Sequence, residues 1–452
     1  MRRSSKTVTL FVVDILLIIF SIYLAVAVRL KYVNVLDVYT GATLFMVLTY
    51  LLSFYVFDIY NLNYRLKSTA YLARYVFAVF AGTAVVAMIF YLFPTWKFGR
   101  GIFIINMVFI VVLGYGWRLL YRQLFLITRK KTSVAIVGAK QEWTTISDIL
   151  RERNFTVKGL LNDDPGGAGP DPGSYPVLEG SAHLVDLVRK REIDAILMGV
   201  IHEKDPSILR ALVDAKMQGV EIYSMTSLFE EITGKLPVLY LSDGWMAFTP
   251  FRGTRRGIYT AHVKRLLDIC LSAAGLLLSL PFSLPAAAAI KFDSKGPVLF
   301  RQKRTGYDGQ VFELLKFRSM TADAEAAGPV WATANDSRAT RVGRIIRKTR
   351  VDEIPQMWNV LKGDMSFIGP RPERPEFVEK LKEEIPFYFF RHAVKPGITG
   401  WAQVNFRYGA SKEDAIEKLQ YDLYYIKNLS AYLDVLILLK TIKVVLFGKG
   451  AR

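Results

Sequence analysis

The sequence Ile-Arg-Lys-Thr-Arg-Val-Asp-Glu-Ile-Pro-Gln, residues 346–356, places two adjacent carboxylates among arginine and lysine side chains. It lies inside residues 316–405, where glycines, prolines and basic residues are closely spaced. Pro355 suits the first turn of a helix, so we expect Asp352 and Glu353 just before a helix N-terminus. Because helix N-termini favour bound phosphate, this stretch predicts a site for phosphate chemistry.

The overall charge indicates an anionic partner. The 452 residues include 59 Lys and Arg against 40 Asp and Glu, a net charge of +19. Such a chain attracts the phosphates of nucleic acid, anionic lipid or nucleotides. Its hydrophobic fraction of 52% favours a membrane, and nucleic acid is not expected as a partner because the basic residues accompany apolar segments and carboxylates. The single cysteine, Cys270, excludes an internal disulfide and a cysteine-based metal cluster.

Residues 1–130 are predicted to form a bundle of four transmembrane helices. Four apolar runs are visible, at residues 8–28, 38–57, 71–93 and 102–117. A spanning helix needs about 20 apolar residues, which the first three runs provide directly. Basic residues before the first run and after the fourth, where Arg118 stands, favour both ends in the cytoplasm. Asp14 is costly in lipid, so we expect it to face other helices in a structural role.

Residues 132–250 are predicted to form a small parallel α/β sheet of Rossmann-like type. Short apolar strands alternate there with helical patterns. A dinucleotide site needs a glycine-rich first turn, but Gly138-Ala-Lys-Gln-Glu-Trp143 lacks the second and third glycines. A non-binding spacer or dimerisation module is therefore favoured over a nucleotide-binding domain.

Residues 264–292 are predicted to form a re-entrant helix hairpin in the membrane, with a fifth spanning helix as the alternative. Pro281 and Pro285 break the uncharged run 269–290 near its middle. Each half has about 11 residues, or roughly 16 Å of helix, which is well short of the roughly 30 Å hydrocarbon core. Basic residues flank both sides of the run, which favours entry and exit at the cytoplasmic face.

Further motifs surround the carboxylate pair. They are Lys264-Arg265…Asp268, Gly296-Pro-Val-Leu-Phe-Arg-Gln302, Lys316-Phe-Arg-Ser-Met320, Asp336…Arg338…Thr340…Gly343, Arg347…Asp352-Glu-Ile-Pro-Gln356, Gly369-Pro-Arg-Pro372 and Lys395-Pro-Gly-Ile-Thr-Gly-Trp-Ala-Gln-Val-Asn405. In this order they resemble the bacterial sugar transferases of exopolysaccharide type, the large monotopic phosphoglycosyl transferases or polyprenyl-phosphate hexose-1-phosphate transferases. The resemblance covers almost the whole chain and implies a membrane protein of mixed fold. Its last part, residues 259–452, would be an α+β monotopic catalytic domain.

Transfer of a phosphosugar sets requirements that these residue types can meet. The oxygens of a diphosphate repel an anionic nucleophile, so cations must neutralise them and stabilise the leaving UMP. Asp and Glu are the available hard oxygen ligands, and Mg²⁺ takes one or two carboxylates while it keeps several waters. Mg²⁺ is therefore the expected cofactor.

The resemblance implies a separate role for each carboxylate. Asp352 would be the nucleophile on the β-phosphate of a UDP-sugar, releasing UMP, and Glu353 would be the Mg²⁺ ligand. Polyprenyl (undecaprenyl) phosphate would then attack the aspartyl phosphosugar, which is ordinary covalent catalysis in two steps. UDP-glucose and UDP-galactose are the first candidates for the donor, by resemblance only.

The family also implies a cellular setting. The protein would be a multi-pass homodimer in the bacterial inner (cytoplasmic) membrane, with its catalytic domain on the cytoplasmic face. It would catalyse the first membrane step of exopolysaccharide, O-antigen or capsule assembly. The alternative of another class is a membrane scaffold or nucleotide sensor for polysaccharide export.

Basic side chains of the motifs are candidates for phosphate contacts, since guanidinium groups bind phosphate oxygens bidentately. These candidates are Lys316, Arg347 and Arg371. The donor site is predicted to be lined by Arg374, Lys395, Gln403 and Asp422.

The chain departs from the family pattern at two positions. Leu280 precedes the proline at 281, where many relatives have serine. Arg350-Val351 precedes the carboxylates, where Ser-Leu is usual. The second departure predicts an additional cation near the site.

Overall fold

The computed structural model describes residues 3–30, 36–60, 68–93, 100–125, 132–138, 150, 155–161, 177–178, 181–190, 192–199, 206–255, 257–321, 338–406, 409 and 411–447. The chain divides into two compact units, Met1–Lys130 and Lys131–Arg452. We call them the first unit and the second unit.

The first unit has a long helix at each of the four predicted apolar runs. These helices are α1 (Arg3–Leu30), α2 (Leu36–Val56), α3 (Thr69–Leu92) and α4 (Arg100–Phe125). Tyr50, Phe54 and Tyr75 lie in the hydrophobic core that the helices share. Many apolar side chains on other faces are exposed, among them Phe80 and Val112, as expected of helices that meet lipid.

Length and composition allow four helices of the described chain to cross a membrane. They are Val8–Arg29, Thr69–Leu92, Gly101–Leu124 and Tyr259–Asp293. The second predicted span is also helical, but its described apolar portion, Gly41–Val56, is shorter. These helices fit a membrane protein.

Asp14 faces the other helices of the bundle, as predicted. Both of its oxygens accept hydrogen bonds from Arg118, at 3.0 and 2.8 Å. Arg118 has no exposed surface and lies inside α4. The prediction that Arg118 lies in a loop after the fourth run, as one of the charges that orient the helices, is therefore wrong. Helix α4 continues past the apolar run, and Arg118 faces Asp14.

A parallel α/β sheet opens the second unit, as predicted. Its strands are β1 (Thr132–Val137), β2 (Phe155–Leu161), β3 (Val177–Leu178), β4 (Ala195–Met198) and β5 (Glu221–Ser224). They pair in the order β3-β2-β1-β4-β5, all parallel. The described helices beside them are α5 (Ser181–Arg189), α6 (Pro206–Met217) and α7 (Met225–Thr233). Most of the turn after Gly138, on which the prediction against a dinucleotide site depends, lies outside the described residues.

Two hydrophobic clusters cover the sheet. Ala135 and Val137 of β1 pack in one cluster, whereas Val134 and Ile136 pack in the other. Successive side chains of a strand point to opposite faces, so both faces of this sheet are buried.

The segment after α7 packs with the C-terminal part of the chain. It contains the short helix α8 (Asp243–Phe248). Leu236, Val238 and Phe251 share one core with residues near the C-terminus, such as Leu423. The predicted domain boundaries at 250 and 259 stay predictions, and the hydrophobic packing across them is continuous.

The predicted hairpin is a single helix, α9 (Lys264–Asp293). Pro281 and Pro285 lie inside this helix, so they do not separate two helices, and the re-entrant path stays a prediction. Apolar membrane helices tolerate proline because local adjustments and serine hydroxyls compensate for the lost backbone bond.

Both ends of α9 contact the rest of the second unit. Near its start, Asp268 accepts a hydrogen bond from the backbone N–H of Phe367 at 2.9 Å. Near its end, Ile290 packs in a hydrophobic cluster with Phe317 and Ile346. One unit therefore holds the entry and the exit of this apolar helix.

The remaining elements mix short strands and helices, in agreement with an α+β fold. Strands β6 (Leu299–Thr305) and β7 (Val311–Phe317) pair antiparallel, and β8 (Ser366–Ile368) pairs parallel with β9 (Gly397–Thr399). The helices are α10 (Arg341–Lys348), α11 (Gln356–Lys362), α12 (Pro375–Glu384), α13 (Trp401–Asn405), α14 (Lys412–Asn428) and α15 (Ala431–Phe447).

Candidate active site

Asp352 and Glu353 lie on a single tight turn, Val351–Glu353, between α10 and α11. The residue before the turn, Arg350, has a left-handed backbone with φ of 59°. Pro355 directly precedes α11, so the predicted helix start is confirmed. Both carboxylates are buried, with 8% and 9% of their surface exposed.

Three basic side chains surround one oxygen of Glu353. Oε1 accepts from Arg371 Nη2 at 2.8 Å and from Arg350 Nη1 at 3.2 Å. Lys316 Nζ lies 3.9 Å from the same oxygen. The additional cation that Arg350 was predicted to supply is therefore present.

These contacts decide the charge of Glu353. Burial opposes ionisation, but Arg371, Lys316 and Arg350 together hold the pKa of Glu353 well below its usual range. Burial also lowers the pKa of the Lys316 ammonium, and Glu353 partly offsets that shift. Glu353 is thus a carboxylate at every physiological pH.

Asp352 has a different environment from its neighbour. Its Oδ1 is buried, and the described residues supply no hydrogen-bond partner for it. Burial, and next the charge of Glu353, raise the pKa of Asp352, while Lys316 lowers it. An unpartnered buried carboxylate oxygen is unusual in a native protein and indicates a role other than packing.

Glycine allows the loop that carries Arg371 to approach its neighbour. A Cβ atom at Gly369 would lie 2.3 Å from the carbonyl oxygen of Lys395. Only glycine fits such a close backbone approach. The two glycine motifs of the sequence therefore meet, and Arg371 follows two residues later.

A cavity of about 300 Å³ adjoins the turn. Its charged lining residues are Lys348, Arg350, Glu353, Arg371, Glu373, Arg391, Lys418 and Asp422. Apolar side chains complete the wall, among them Met357, Phe367 and Val444. Asp352 lies next to this cavity in sequence but is not among the lining residues. The mixture of basic and apolar groups suits an amphiphilic phosphate.

Arg391 is a lining residue that the sequence argument missed. Its Nη2 donates to Asp422 Oδ2 and to the backbone carbonyl of Arg371, both at 2.9 Å. Its Nη1 donates to the Tyr388 hydroxyl at 2.6 Å. In the sequence, Arg391 is recognisable only as the single arginine among the aromatic residues of Tyr388–Ala393. That pattern is weak evidence for a site residue.

Asp422, a predicted donor-site residue, lines the cavity, but its hydrogen-bond partner is Arg391 of the same chain. The pKa of Asp422 is raised to about 6, because the effect of burial exceeds the opposing effect of Arg391. Gln403 also lines the cavity; its Nε2 donates to the carbonyl of Ile398 at 2.8 Å. Of the four predicted donor-site residues, these two reach the cavity.

Besides Asp352, four predicted site residues are not among the lining residues of this cavity. One of them, Lys316, lies beside Glu353. Arg347 is half-buried near the end of α10. The Arg374 guanidinium lies 6.0 Å from the ring centre of Phe377. Lys395 is exposed as a whole residue. Its ammonium group is partly buried, and this burial, followed by the charge of Arg265, lowers its pKa. Their substrate contacts stay predictions.

The donor set for a metal is small. No group of three or more His, Cys, Asp or Glu side chains that could hold an ion occurs among the described residues. Mg²⁺ is compatible with such a site because it binds through one or two carboxylates and takes its other ligands from water and substrate phosphates.

Two family models match the chain. Residues 259–448 match the family described as "Bacterial sugar transferase". Residues 55–226 match the family described as "CoA-binding domain". The first match contains the whole carboxylate turn and the cavity beside it.

Several characterised proteins are similar to this chain. It is 44% identical to the UDP-N-acetylgalactosamine-undecaprenyl-phosphate N-acetylgalactosaminephosphotransferase of Aeromonas hydrophila, over 54% of this chain and 56% of that relative. It is 35% identical to the UDP-glucose:undecaprenyl-phosphate glucose-1-phosphate transferases of Klebsiella pneumoniae and Escherichia coli (strain K12), over 69% of this chain and 67% of each relative. The chain thus spans little more than half of the first relative and two thirds of the other two.

Proposed function

The chain belongs to the bacterial sugar transferase family, and on this premise we propose that it transfers a sugar-1-phosphate from a UDP-sugar to undecaprenyl phosphate, with release of UMP. The observation that carries the proposal is the buried carboxylate pair. Asp352 has an oxygen without a partner among the described residues, and Glu353 is held by Arg371 and Arg350. One carboxylate is available for chemistry, and basic groups beside it can receive phosphate oxygens.

The first step is attack by a carboxylate oxygen of Asp352 on the β-phosphorus of the donor. A bond forms between this oxygen and phosphorus, and the bond from phosphorus to the bridging oxygen breaks. The electron pair leaves with UMP, while the phosphosugar stays on the aspartate. Asp352 does not line the cavity, so this step requires the carboxylate turn to adjust when the donor binds. Contacts of catalytic groups commonly tighten when substrate binds.

The second step returns the enzyme to its starting state. A phosphate oxygen of undecaprenyl phosphate attacks the phosphorus of the aspartyl phosphosugar, and the bond to Asp352 breaks. The products are the lipid diphosphosugar and a free carboxylate. Arg371 and Lys316 stabilise the charge of the phosphoryl oxygens in both steps.

Mg²⁺ fits this chemistry as a cofactor. When bound, it neutralises diphosphate oxygens and stabilises the leaving group. Glu353 would hold it, because its pKa is lowered and it stays ionised. The remaining ligands would come from water and the substrates. Chelation with EDTA is expected to stop UMP release, and added Mg²⁺ to restore it.

The proposed membrane position of the site rests on α9. We propose that this helix bends at Pro281 and Pro285, so that it enters and leaves the bacterial inner membrane at the cytoplasmic face, where the catalytic residues meet the lipid phosphate. Contacts of both helix ends with one unit support this topology, as do the basic flanks of the apolar run. A labelling assay that places Lys295 and Arg452 in different compartments would contradict it.

The parallel sheet has no proposed role in the reaction. We propose that it is a Rossmann-like spacer that supports a homodimer. The match to a CoA-binding model favours a nucleotide sensor as a second candidate for this part of the chain. Equilibrium binding of CoA and ATP to the purified full-length protein distinguishes the two, since a spacer binds neither.

The donor sugar and the pathway need a direct test. The relatives are named for N-acetylgalactosamine and for glucose, so both UDP-sugars, and UDP-galactose, belong in a panel with undecaprenyl phosphate. UMP release with one donor identifies the sugar that the protein would transfer in the first membrane step of exopolysaccharide, O-antigen or capsule assembly. Incubation with that radiolabelled donor alone is expected to label the protein, and absence of label would remove the covalent step.

A further inference from the structure

Asn359 joins the helix after the carboxylate turn to strand β7. It lies in the middle of α11 and is 2% exposed. Its Nδ2 donates to the carbonyl of Glu313 at 2.7 Å, and its Oδ1 accepts from the N–H of Leu315 at 2.9 Å. These backbone groups are two residues apart on one strand, so the amide side chain pairs with β7 much as a neighbouring strand would.

This pairing fixes the distance between two parts of the site. Lys316 directly follows Leu315 on β7, and Glu353 stands three residues before α11. Lys316 Nζ lies 3.9 Å from Glu353 Oε1. A slip of α11 along β7 would change this separation directly.

Arg265 holds the other end of the same helix. Its Nη1 donates to the carbonyl of Val360 at 2.6 Å, and its Nη2 donates to the carbonyl of Leu361 at 2.7 Å. Carbonyls in the last turn of a helix have no partner within the helix, and a cation there is favoured by the helix dipole. Arg265 belongs to the first turn of α9, so the membrane helix fixes the end of α11.

Helix α11 is short, so contacts at its middle and its end also restrict the position of its start. The seven residues of α11 span about 10 Å at 1.5 Å per residue. Asn359 fixes its middle to β7, and Arg265 fixes its end to α9. The turn that carries the two carboxylates is attached to the free end.

We propose that Asn359 and Arg265 are positioning residues that hold α11 between β7 and the membrane helix, and thereby set Asp352 and Glu353 at the distance from Lys316 that phosphosugar transfer requires. Neither residue lines the cavity beside the turn. The inference rests on the proposed function, because it assigns these contacts to the geometry of the carboxylate pair.

The first test is Asn359→Leu, which keeps the side-chain size and removes both hydrogen bonds to β7. Since a displacement of about 1 Å from a remote change can cost 100-fold in rate, we expect kcat for UMP release to fall about 100-fold. KM for the UDP-sugar should stay within about threefold, because binding contacts are intact. Asn428→Leu is the matched control: this asparagine donates to Glu230 and to the carbonyl of Tyr424 on α14, away from the turn, and kcat should be unchanged.

Arg265 supplies a second test that does not depend on the folding of the first variant. Arg265→Met removes both donors and is expected to lower kcat about tenfold or more. Arg265→Lys keeps one donor and should recover part of that loss. Wild-type kcat in Arg265→Met, or equal losses in both variants, would overturn the assignment of Arg265.

A double variant shows whether Asn359 acts through Lys316. If it does, Asn359→Leu should lower kcat much less in a Lys316→Met background than in the wild type, because both changes remove the same interaction. Fully multiplicative losses would overturn the inference. Failure of the proposed function would give a different result. In that case neither the wild type nor any variant would release UMP from UDP-glucose, UDP-galactose or UDP-N-acetylgalactosamine with undecaprenyl phosphate.

Discussion

Two buried clusters of charge, one in each unit, differ in how their charges are balanced. In the first unit, both oxygens of Asp14 accept hydrogen bonds from Arg118, so one carboxylate meets one guanidinium. In the second unit, three basic side chains lie beside Glu353, and within the described chain the Oδ1 atom of the adjacent Asp352 has no hydrogen-bond partner. A balanced and fully bonded pair has little left to offer a ligand. An unbonded carboxylate oxygen can act as a nucleophile, and surplus positive charge beside it attracts an anionic substrate.

The remaining contacts of Arg118 strengthen this contrast. Its Nε donates to the Tyr71 hydroxyl at 3.2 Å, and its Nη1 also donates to the carbonyl of Gly114 at 2.9 Å. The guanidinium lies 4.5 Å from the ring centre of Tyr75, a distance at which a cation and an aromatic face attract. Each nitrogen of the Arg118 guanidinium therefore donates within the bundle, which favours the structural role predicted for the pair.

The largest expected effect is that of Asp352→Asn. The amide cannot act as the nucleophile, so UMP release should fall by on the order of 10⁴-fold or more, as for other covalent catalysts that lose their nucleophile. The donor-labelled protein adduct should disappear with it. Asp243→Asn, an exposed change in the first turn of α8, is the control and should keep full turnover. Full turnover in Asp352→Asn would remove the nucleophile assignment.

The second effect concerns stability instead of activity. Asp14→Asn leaves Arg118 charged, buried and without its counterion, which is expected to destabilise the first unit by about 3–5 kcal/mol. Thermal unfolding in detergent measures this loss. The double change Asp14→Leu with Arg118→Met should recover most of it, because an apolar pair replaces a balanced ion pair at little cost. An Asp14→Asn protein with wild-type stability would show that the pair does not stabilise the bundle.

The third effect tests the surplus charge at the site. Arg371→Met removes the closest partner of Glu353 and a group that would stabilise phosphoryl oxygens. We expect kcat/KM for UMP release to fall about 100-fold, with Arg371→Lys intermediate because an ammonium is a single-point donor. Arg301→Met is the control, since that exposed arginine lies 3.5 Å from Glu313 on the β6–β7 surface. Equal activity of Arg371→Met and Arg301→Met would contradict the proposed role.

Local sequence patterns predicted the elements and the carboxylate turn well. Apolar runs long enough to cross a membrane became α1 to α4, and the alternation of strands and helices became the parallel sheet. Pro355 marked the start of α11. Each of these depends on residues close together in sequence, where hydropathy and backbone restrictions act directly.

Contacts between distant residues were not predictable in the same way. Arg391 supports the carbonyl of Arg371, 20 residues earlier, and pairs with Asp422, 31 residues later. Asp422 was expected to line the donor site, and it does line the cavity, but its charge is taken by that arginine. Helix α9 runs through Pro281, and its two ends contact residues that are distant in sequence, which a local pattern does not contain.

The smallest expected effect separates backbone strain from charge at Arg350. This residue has φ of 59°, a conformation that costs a non-glycine residue roughly 1–2 kcal/mol. Its side chain is 36% exposed, and its bond to Glu353 is 3.2 Å long. An ion pair of that exposure contributes at most about 1 kcal/mol.

Arg350→Gly should therefore leave stability unchanged or raise it by up to about 1 kcal/mol, because glycine adopts this backbone freely. The same change should lower UMP release about two- to fivefold, since one of three cations beside the carboxylates is lost. Arg350→Lys keeps the charge and the strain, so it should show nearly wild-type activity and no gain in stability. If Arg350→Gly is as active as the wild type, Arg371 and Lys316 suffice, and two cations then face two carboxylates without a surplus. The contrast with the balanced pair of the first unit would then rest on the unbonded oxygen of Asp352.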